Sequence, residues 1–287
     1  MNFLDGLPSL SPVGREALYG QWGDYIGGIW GTVLSLGGLI ALIATLAINR
    51  RSDQRNSTLT ILSELLKTHD QIISAWDGGY LTNKGAPARF LSEFYSLYAL
   101  TKKINETRRS WSVDDMIDIA YTFTYYGPNS HADDALVHYG NDLIKIIHDH
   151  IPPLRRAGKG EFKGFQLQLA HYMRNLFAAY STIHRSKLPK NQRKALGKIV
   201  RAKLSNYEQS LLTLNIISHV GRSWELDGLV TAYKPITNVP KNFFSFDDDF
   251  NLKERFPQIR FEWESVEGQR PWYRRITVFG WNITVSR

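Results

Sequence analysis

The sequence predicts a mainly all-α protein, with an N-terminal transmembrane helix followed by a cytoplasmic helical domain. Three observations lead to this prediction. Residues 25–49 carry no charge, apolar residues recur at helical spacing through most of residues 56–219, and residues 275–285 alternate in polarity. The first two patterns predict membrane-spanning and amphipathic helices. The third adds a short C-terminal β-hairpin as an option.

Composition limits the chemistry that the chain can perform. Its 287 residues are 43% hydrophobic and include no cysteine, so a sizeable core is expected, while disulfides and cysteine-based metal or nucleophile sites are excluded. The formal net charge of +8 favours anionic partners, either lipid headgroups or nucleic acid. We favour membrane lipid, because lysines beside an anionic inner leaflet assist attachment without any further role.

The uncharged run Tyr25–Asn49 is long enough, at about 1.5 Å per residue, to cross a hydrocarbon core of about 30 Å. Arg50, Arg51 and Arg55 follow it directly. Positive charge is enriched on the cytoplasmic side of membrane helices. We therefore expect a single-pass protein of the bacterial inner membrane, with residues 1–24 as a short extracytoplasmic N-terminus and the C-terminal domain in the cytoplasm.

Small residues recur every four positions along this helix, at Gly27, Gly31 and Ser35. Such spacing lets two membrane helices approach closely, and it predicts a homo-oligomer. The alternative is that glycine is simply common in membrane helices.

Residues 50–240 are predicted to form the cytoplasmic helical domain, and residues 241–287 an irregular or β-containing tail. The predicted helices are Asn56–Trp76, Ala88–Asn105, one from Val113 to just before Gly127, Asp134–Ile151, Phe165–Arg185, Lys190–His219 and Trp224–Tyr233. Ser112 with Asp115 three residues later is typical of a helix start. The Pro152-Pro153 pair is expected to end the fourth helix, because proline lacks the N–H that a helix interior needs.

Familiar catalytic motifs are missing from the sequence. It contains no glycine-rich phosphate loop, G-x-S-x-G elbow or H-E-x-x-H pair. Histidines and carboxylates cluster between His131 and His150, which we interpret as a solvated helix face rather than a metal site. We name no catalytic residue, metal or cofactor. Whether the protein is an enzyme stays undecided, with the balance against it.

A polar row lies among leucines in the predicted helix Lys190–His219. Arg201, Ser205, Glu208 and Asn215 are offset by four, seven and fourteen residues, so a single helix would place them in one stripe. If the preceding helix folds back antiparallel, Arg174 could reach Ser205 or Glu208. We favour a buried ion pair that fixes the helix register, since an unpaired buried charge is costly. The alternative is a ligand pocket lined by Arg174, Arg201 and Glu208.

Two sequence blocks also resemble a known family. The block 171–177 (HYMRNLF) and the block 200–208 (VRAKLSNYE), followed by Leu211-Leu212 and Asn215, are similar to the phage abortive infection (AbiC-type) family. Weaker similarity at 23–28, 62–74 and 229–240 follows the family order, so the resemblance extends over about residues 20–240. The candidate motif residues are Tyr172, Arg174, Asn175, Arg201, Ser205, Asn206, Tyr207, Glu208 and Asn215. Lys203 stands where the family usually has glutamine.

The resemblance implies antiphage defence, in which the infected cell arrests or dies before the phage spreads. Three hypotheses follow. The first is a membrane-anchored effector that acts as an oligomer. The second is an enzyme of unknown type acting on nucleic acid or nucleotides, although nucleic acid is not our favoured partner. The third is a non-catalytic membrane-anchored sensor or scaffold that binds a phage component or a partner defence protein.

Overall fold

The computed structural model describes residues 12–76, 86–108, 110–264, 275–278 and 281–284. By their internal contacts, residues 1–57 and 58–287 form two units. Helix α1, Pro12–Ser74, contributes to both of them. It ends at Ser74, two residues before the predicted end at Trp76.

The first unit contains the apolar part of α1. It is the helix of the described chain that is long and apolar enough to cross a membrane by length and composition. None of its most apolar stretch is buried in the structure. The Thr32 and Thr45 hydroxyls each donate a hydrogen bond of 2.8 Å to the carbonyl four residues earlier, so these polar groups have partners within the helix itself.

The second unit is mainly helical, which confirms the predicted fold class. Its helices after α1 are α2 Ala86–Arg108, α3 Val113–Tyr126, α4 Ser130–Leu136, α5 Asn141–Arg156, α6 Gln166–Arg185, α7 Lys190–Lys203, α8 Asn206–Ile217, α9 Ser223–Leu226, α10 Leu229–Tyr233 and α11 Leu252–Arg255. Two 3-10 turns occur at Val137–Tyr139 and His219–Gly221. Strands β1 Arg275–Val278 and β2 Trp281–Thr284 pair antiparallel, with Arg275 opposite Thr284.

Helix α3 lies at the centre of this unit. Every residue from Met116 to Tyr125 is buried, and α3 contacts α2, α4, α6 and α8. Its start is the predicted one, since Ser112 and Asp115 each accept the other's backbone N–H. A helix that is apolar nearly all round must be surrounded by other elements to leave water. The remaining helices are therefore arranged around α3.

The predicted helix Asp134–Ile151 is wrong at both ends and in the middle. Helix α4 begins at Ser130, and Gly140, with φ of +103°, separates it from α5. Glycine adopts this backbone conformation without steric cost. Helix α5 then continues through Pro152-Pro153 to Arg156. Both prolines are exposed in its last turns, so solvent can satisfy the carbonyl groups that lose their N–H partners.

The segment from Ile236 to Phe261 completes the core despite its scarcity of regular structure. Phe256 and Ile259 are fully buried. The Phe246 ring packs edge-on against Tyr98 of α2, with ring centroids 4.6 Å apart. Polar contacts add to this packing, since the Asn238 N–H donates a hydrogen bond of 2.8 Å to Gln209 Oε1 of α8.

Candidate functional site

The motif block 200–208 contains a helix boundary. Helix α7 ends at Lys203, and α8 begins at Asn206. The Ser205 hydroxyl accepts a hydrogen bond from the Glu208 backbone N–H at 3.3 Å, and Glu208 Oε2 accepts from the Ser205 N–H at 2.7 Å. This reciprocal pair is a capping box. The prediction of one helix from Lys190 to His219 is therefore wrong, and with it the stripe that joined Arg201 to Glu208.

Glu208 is also the centre of a buried polar cluster, here called the Glu208 cluster, formed by His69, Tyr172, Ser205 and Glu208. Only 1% of Glu208 is exposed. Its Oε1 accepts a hydrogen bond of 3.0 Å from the Tyr172 hydroxyl and lies 3.0 Å from His69 Nε2. The ring centroids of His69 and Tyr172 are 5.3 Å apart. The cluster joins the last part of α1 to α6 and to the start of α8.

The Glu208 cluster is closed to substrate. Leu65, Leu176 and Val200 line the crevice beside His69, and this crevice has no room for a water molecule. A carboxylate, an imidazole and a phenol are the side chains of many acid–base sites, but a reacting molecule must reach them. The arrangement therefore supports the structural interpretation of this network over a ligand pocket.

Arg174 does not belong to the Glu208 cluster. It is exposed, and its Nε donates a hydrogen bond of 3.1 Å to the Ala170 carbonyl. The expectation that Arg174 reaches Ser205 or Glu208 is wrong, because that estimate of register assumed an unbroken helix after Lys190. Tyr172 takes the place at Glu208 instead. Two residues of α-helix rotate about 200°, so Arg174 faces away from Tyr172.

Other motif residues bind neighbouring backbone. Arg201 Nη1 donates to the Lys234 carbonyl at 3.1 Å and to Thr237 Oγ1 at 3.0 Å, which holds the turn after α10. Asn175 Nδ2 donates to the Leu65 carbonyl at 3.0 Å, which joins α6 to α1. Arg174, Arg201 and Glu208 thus point to three different places, and the predicted pocket lined by all three does not form.

Lys203, which stands where the family usually has glutamine, is paired. Its Nζ lies 2.9 Å from Asp70 Oδ2. Both side chains are about half exposed, so the pair contributes little to stability. It nevertheless places an ion pair between α7 and α1 where a glutamine would offer only an uncharged amide.

Asn206 and Tyr207 border an open groove of about 760 Å³ between α2, α8 and the 240–246 segment. The Tyr207 side chain is 53% exposed. Tyr95 lies across the groove, and burial raises the pKa of its phenol to about 12. Phe243 and Phe246 add two more rings to a surface that also carries serine and asparagine side chains.

Asn215 lies with Arg174 at a second, separate cavity of about 330 Å³. Its Nδ2 donates to the Tyr121 hydroxyl at 2.9 Å, inside the core. Tyr125 forms part of the same cavity. Burial raises the pKa of the Tyr125 phenol above its ordinary value, and the nearby Arg174 charge acts against this rise.

Residues 164–244 match the family model described as "Putative phage abortive infection protein". The predicted resemblance is confirmed over this range, while its extension over residues 20–163 stays a prediction. The matched range holds both motif blocks and extends from just before α6 to just beyond α10, and it supports a role in phage defence. No curated protein and no solved structure matches the chain.

The Glu208 cluster also includes one residue outside the abortive infection segment 164–244, namely His69. Sequence reasoning missed it. Leu62, Leu65, Leu66, Ile72 and Ile73 mark the apolar stripe of the last turns of α1, and His69 occupies the same stripe. A polar residue at a buried position of an amphipathic helix needs a buried partner. That signal was present, although it did not identify Glu208 as the partner.

The histidine-rich stretch around α4 and α5 shows one local pairing. His148 Nε2 lies 2.8 Å from Asp133 Oδ1, and both side chains are about one-third exposed. Across the residues that the structure describes, no group of three or more His, Cys, Asp or Glu side chains has a geometry that could hold a metal ion.

Proposed function

We propose that this protein is a membrane-anchored antiphage defence effector that acts by abortive infection, as an oligomer in the bacterial inner membrane. The observation that carries the proposal is the abortive infection segment, on the same chain as a long apolar helix. The segment suggests the biological role, and the helix suggests where it is exercised. Arrest or death of the infected cell would be the outcome.

Exposed apolar surface supports membrane anchoring. Large side chains such as Tyr25, Trp30 and Leu34 are more than half exposed along α1. A continuous apolar surface of this length is rare on water-soluble proteins, and burial in lipid removes it from water. The exposed Arg50 and Arg51 at the end of the run favour a cytoplasmic location for the domain that follows.

Glycines on α1 support the oligomer. A Cβ atom added at Gly27 or Gly31 would meet nothing within 4 Å. Packing within the described residues of one chain therefore gives no reason for glycine at these positions. Close approach of a second membrane helix gives one, and Ser35 continues the same face.

Challenge with phage tests the defence role. A bacterial host expressing the full chain is compared with a host carrying an empty vector, at low and at high phage dose. We expect fewer plaques at low dose and host death at high dose, because abortive infection protects the population and not the infected cell. Host survival at high dose together with protection would argue against abortive infection, and unprotected cultures across a broad phage panel would argue against defence by this protein alone.

The sensor or scaffold alternative is supported by the open groove beside Asn206 and Tyr207, which Phe243 and Phe246 also line. Aromatic side chains are enriched where proteins contact one another. Affinity purification of the tagged chain from its native host, with and without infection, separates this alternative from the effector. A stoichiometric partner protein that is itself required for killing would favour the scaffold.

The enzyme alternative is less well supported. Its three candidate residues, Arg174, Arg201 and Glu208, do not converge, and the Glu208 cluster has no space for substrate. Loss of intact nucleic acid or of nucleotide pools in infected cells, before any loss of membrane potential, would reinstate this alternative.

A further inference from the structure

The cavity beside Arg174 lies apart from the Glu208 cluster. It is bordered by α6 on one side and by the end of α8, the His219–Gly221 turn and α9 on the other. Its volume of about 330 Å³ falls at the lower end of the range of small-molecule sites. Such a volume suits a compact ligand and not a long polymer.

Arg174 is the one charged side chain among the residues that line this cavity. Its Nε is bound to the Ala170 carbonyl, which fixes the start of the guanidinium group. In the described part of the chain, no carboxylate lies within ion-pair distance of it. A guanidinium held in this way offers its remaining N–H donors in a fork that matches phosphate or carboxylate oxygens.

The other walls combine rings with amides. Phe177 is half buried at the cavity and Tyr125 lies at its floor, while the Gln166 side chain is exposed at the rim. Asn215 of α8 also borders the cavity, but its Nδ2 is bound to the Tyr121 hydroxyl, so Gln166 is the amide that a base could reach. Aromatic faces stack on planar bases, and amide side chains hydrogen-bond to base edges.

The cavity is also built rigidly. A Cβ atom at Gly221 would lie 2.1 Å from the Asn215 carbonyl oxygen, so the turn approaches α8 as closely as backbone permits. Trp224 is 2% exposed and packs edge-on against Phe177, with ring centroids 5.4 Å apart. The walls are thus held in place before any ligand arrives, which lowers the entropic cost of binding.

We propose that this cavity binds a nucleoside monophosphate, with the phosphate on Arg174 and the base against Phe177, within reach of Gln166. Arg174 supplies a single positive charge, which suits a ligand with one phosphate better than a nucleoside triphosphate. The inference goes beyond the defence role, and it is tested with purified protein, so neither outcome depends on whether phage are resisted.

Calorimetric titration of the full chain in detergent with AMP, GMP, CMP and UMP tests the proposal. We expect saturable binding of at least one of them, and weaker binding of the matching nucleoside and of inorganic phosphate. Arg174→Gln should weaken binding by about tenfold or more, because a hydrogen bond to a charged group is lost. Arg174→Lys keeps the charge but not the fork, and should fall between the two.

Ala170→Trp is a second variant, which fills the cavity while Arg174 remains. This variant should abolish nucleotide binding, because the indole ring occupies the space that the ligand needs. Arg156→Gln is the matched control, since Arg156 is an exposed arginine at the end of α5 and away from the cavity; it should bind as the wild type does. The proposal is overturned if none of the four nucleotides binds at millimolar concentration, if Arg174→Gln binds normally, or if phosphate alone binds as tightly as the nucleotide.

Discussion

Glu208 has a different partner on each of its two carboxylate oxygens. Oε1 faces the Tyr172 hydroxyl and His69, while Oε2 caps the backbone of Ser205. A buried carboxylate is tolerated only when its oxygens are satisfied. Removing it therefore takes away the oxygen that the Tyr172 hydroxyl and His69 Nε2 both face.

We expect Glu208→Ala to lower the free energy of unfolding by about 1 to 3 kcal/mol, because the buried groups that bond to its carboxylate lose their partner. Tyr172→Phe keeps the ring packing and removes one hydrogen bond, so it should cost about 1 kcal/mol. Thermal and urea unfolding, followed by near-ultraviolet circular dichroism, give these values. Tyr207→Phe is the matched control on an exposed phenol, and a loss as large as that of Tyr172→Phe would contradict the assignment.

The sequence predicted which residues belong to the Glu208 cluster more accurately than it predicted which of them contact one another. Tyr172, Ser205 and Glu208 were all candidates, and the structure brings them together. The predicted contact of Arg174 with Ser205 or Glu208 was wrong. It assumed one unbroken helix after Lys190, and the break between α7 and α8 changes the position of every later residue. His69 is distant in sequence from Glu208, and no local pattern determines which buried polar groups meet.

Single residues determine where the helices begin and end, and some of these residues are easier to recognise in the sequence than others. The S-x-x-D start of α3 was predicted from its sequence, and the S-x-x-E start of α8 was overlooked because leucines at helical spacing continue across it. Both are capping boxes. Gly140 was missed for a similar reason, since isolated glycines also occur within helices.

Ser205→Ala tests the second capping box. It should lower the free energy of unfolding by about 1 kcal/mol, because the Glu208 N–H loses its acceptor at the N-terminus of α8. Ser205→Thr keeps a hydroxyl and should restore most of this loss. Thermal unfolding of the three proteins measures the effect, and equal melting temperatures for Ala and Thr variants would show that the cap has no energetic role.

The segment after Pro240 is attached to α2 by a buried carboxylate as well as by rings. Asp247 accepts hydrogen bonds from the Tyr98 hydroxyl and from Lys102, whose Nζ lies 3.0 Å away. Burial alone would raise the Asp247 pKa. These two hydrogen bonds, together with the Asp249 backbone N–H and the Lys102 charge, outweigh burial and lower the pKa below its ordinary value of 3.8. The ionised carboxylate therefore stabilises the folded state.

This stabilisation should be complete above pH 3.8, the ordinary value, and should disappear as the pH falls towards the lower pKa of the folded protein. Asp247→Asn is expected to cost about 1 to 3 kcal/mol at neutral pH. The difference in free energy of unfolding between the wild type and Asp247→Asn should become smaller at acidic pH. Urea unfolding at neutral and acidic pH measures it, with Asp248→Asn as the control at a neighbouring carboxylate; a gap that is independent of pH would contradict the assigned role.

At the scale of the whole molecule, two kinds of sequence signal led to the proposal. The uncharged run predicted the apolar helix from length and charge alone, and the structure has that helix within α1. Motif blocks predicted the family, and the family model matches residues 164–244. Neither signal indicates how infection would be stopped, because composition and family membership do not define a mechanism.

In the proposed function, association of two chains through the apolar part of α1 can be tested separately from attachment to a membrane. Gly31→Ile places a branched side chain on the face formed by Gly27, Gly31 and Ser35, and it should prevent the close approach of two helices. Isoleucine is more apolar than glycine and adds no charge, so membrane insertion should be unaffected. Gly37→Ile is the matched control, since Gly37 lies about 120° around the helix from Gly31.

We expect Gly31→Ile to fractionate with membranes as the wild type does, to lose the crosslinked oligomer in detergent, and to lose protection against phage. Gly37→Ile should retain all three properties. Loss of oligomer with protection intact would show that the anchor serves attachment alone and that killing is performed by single chains. Loss of protection in both variants with oligomers intact would instead place the requirement in the helix as a whole. It would also move the search for the step that stops infection to the helices after α1.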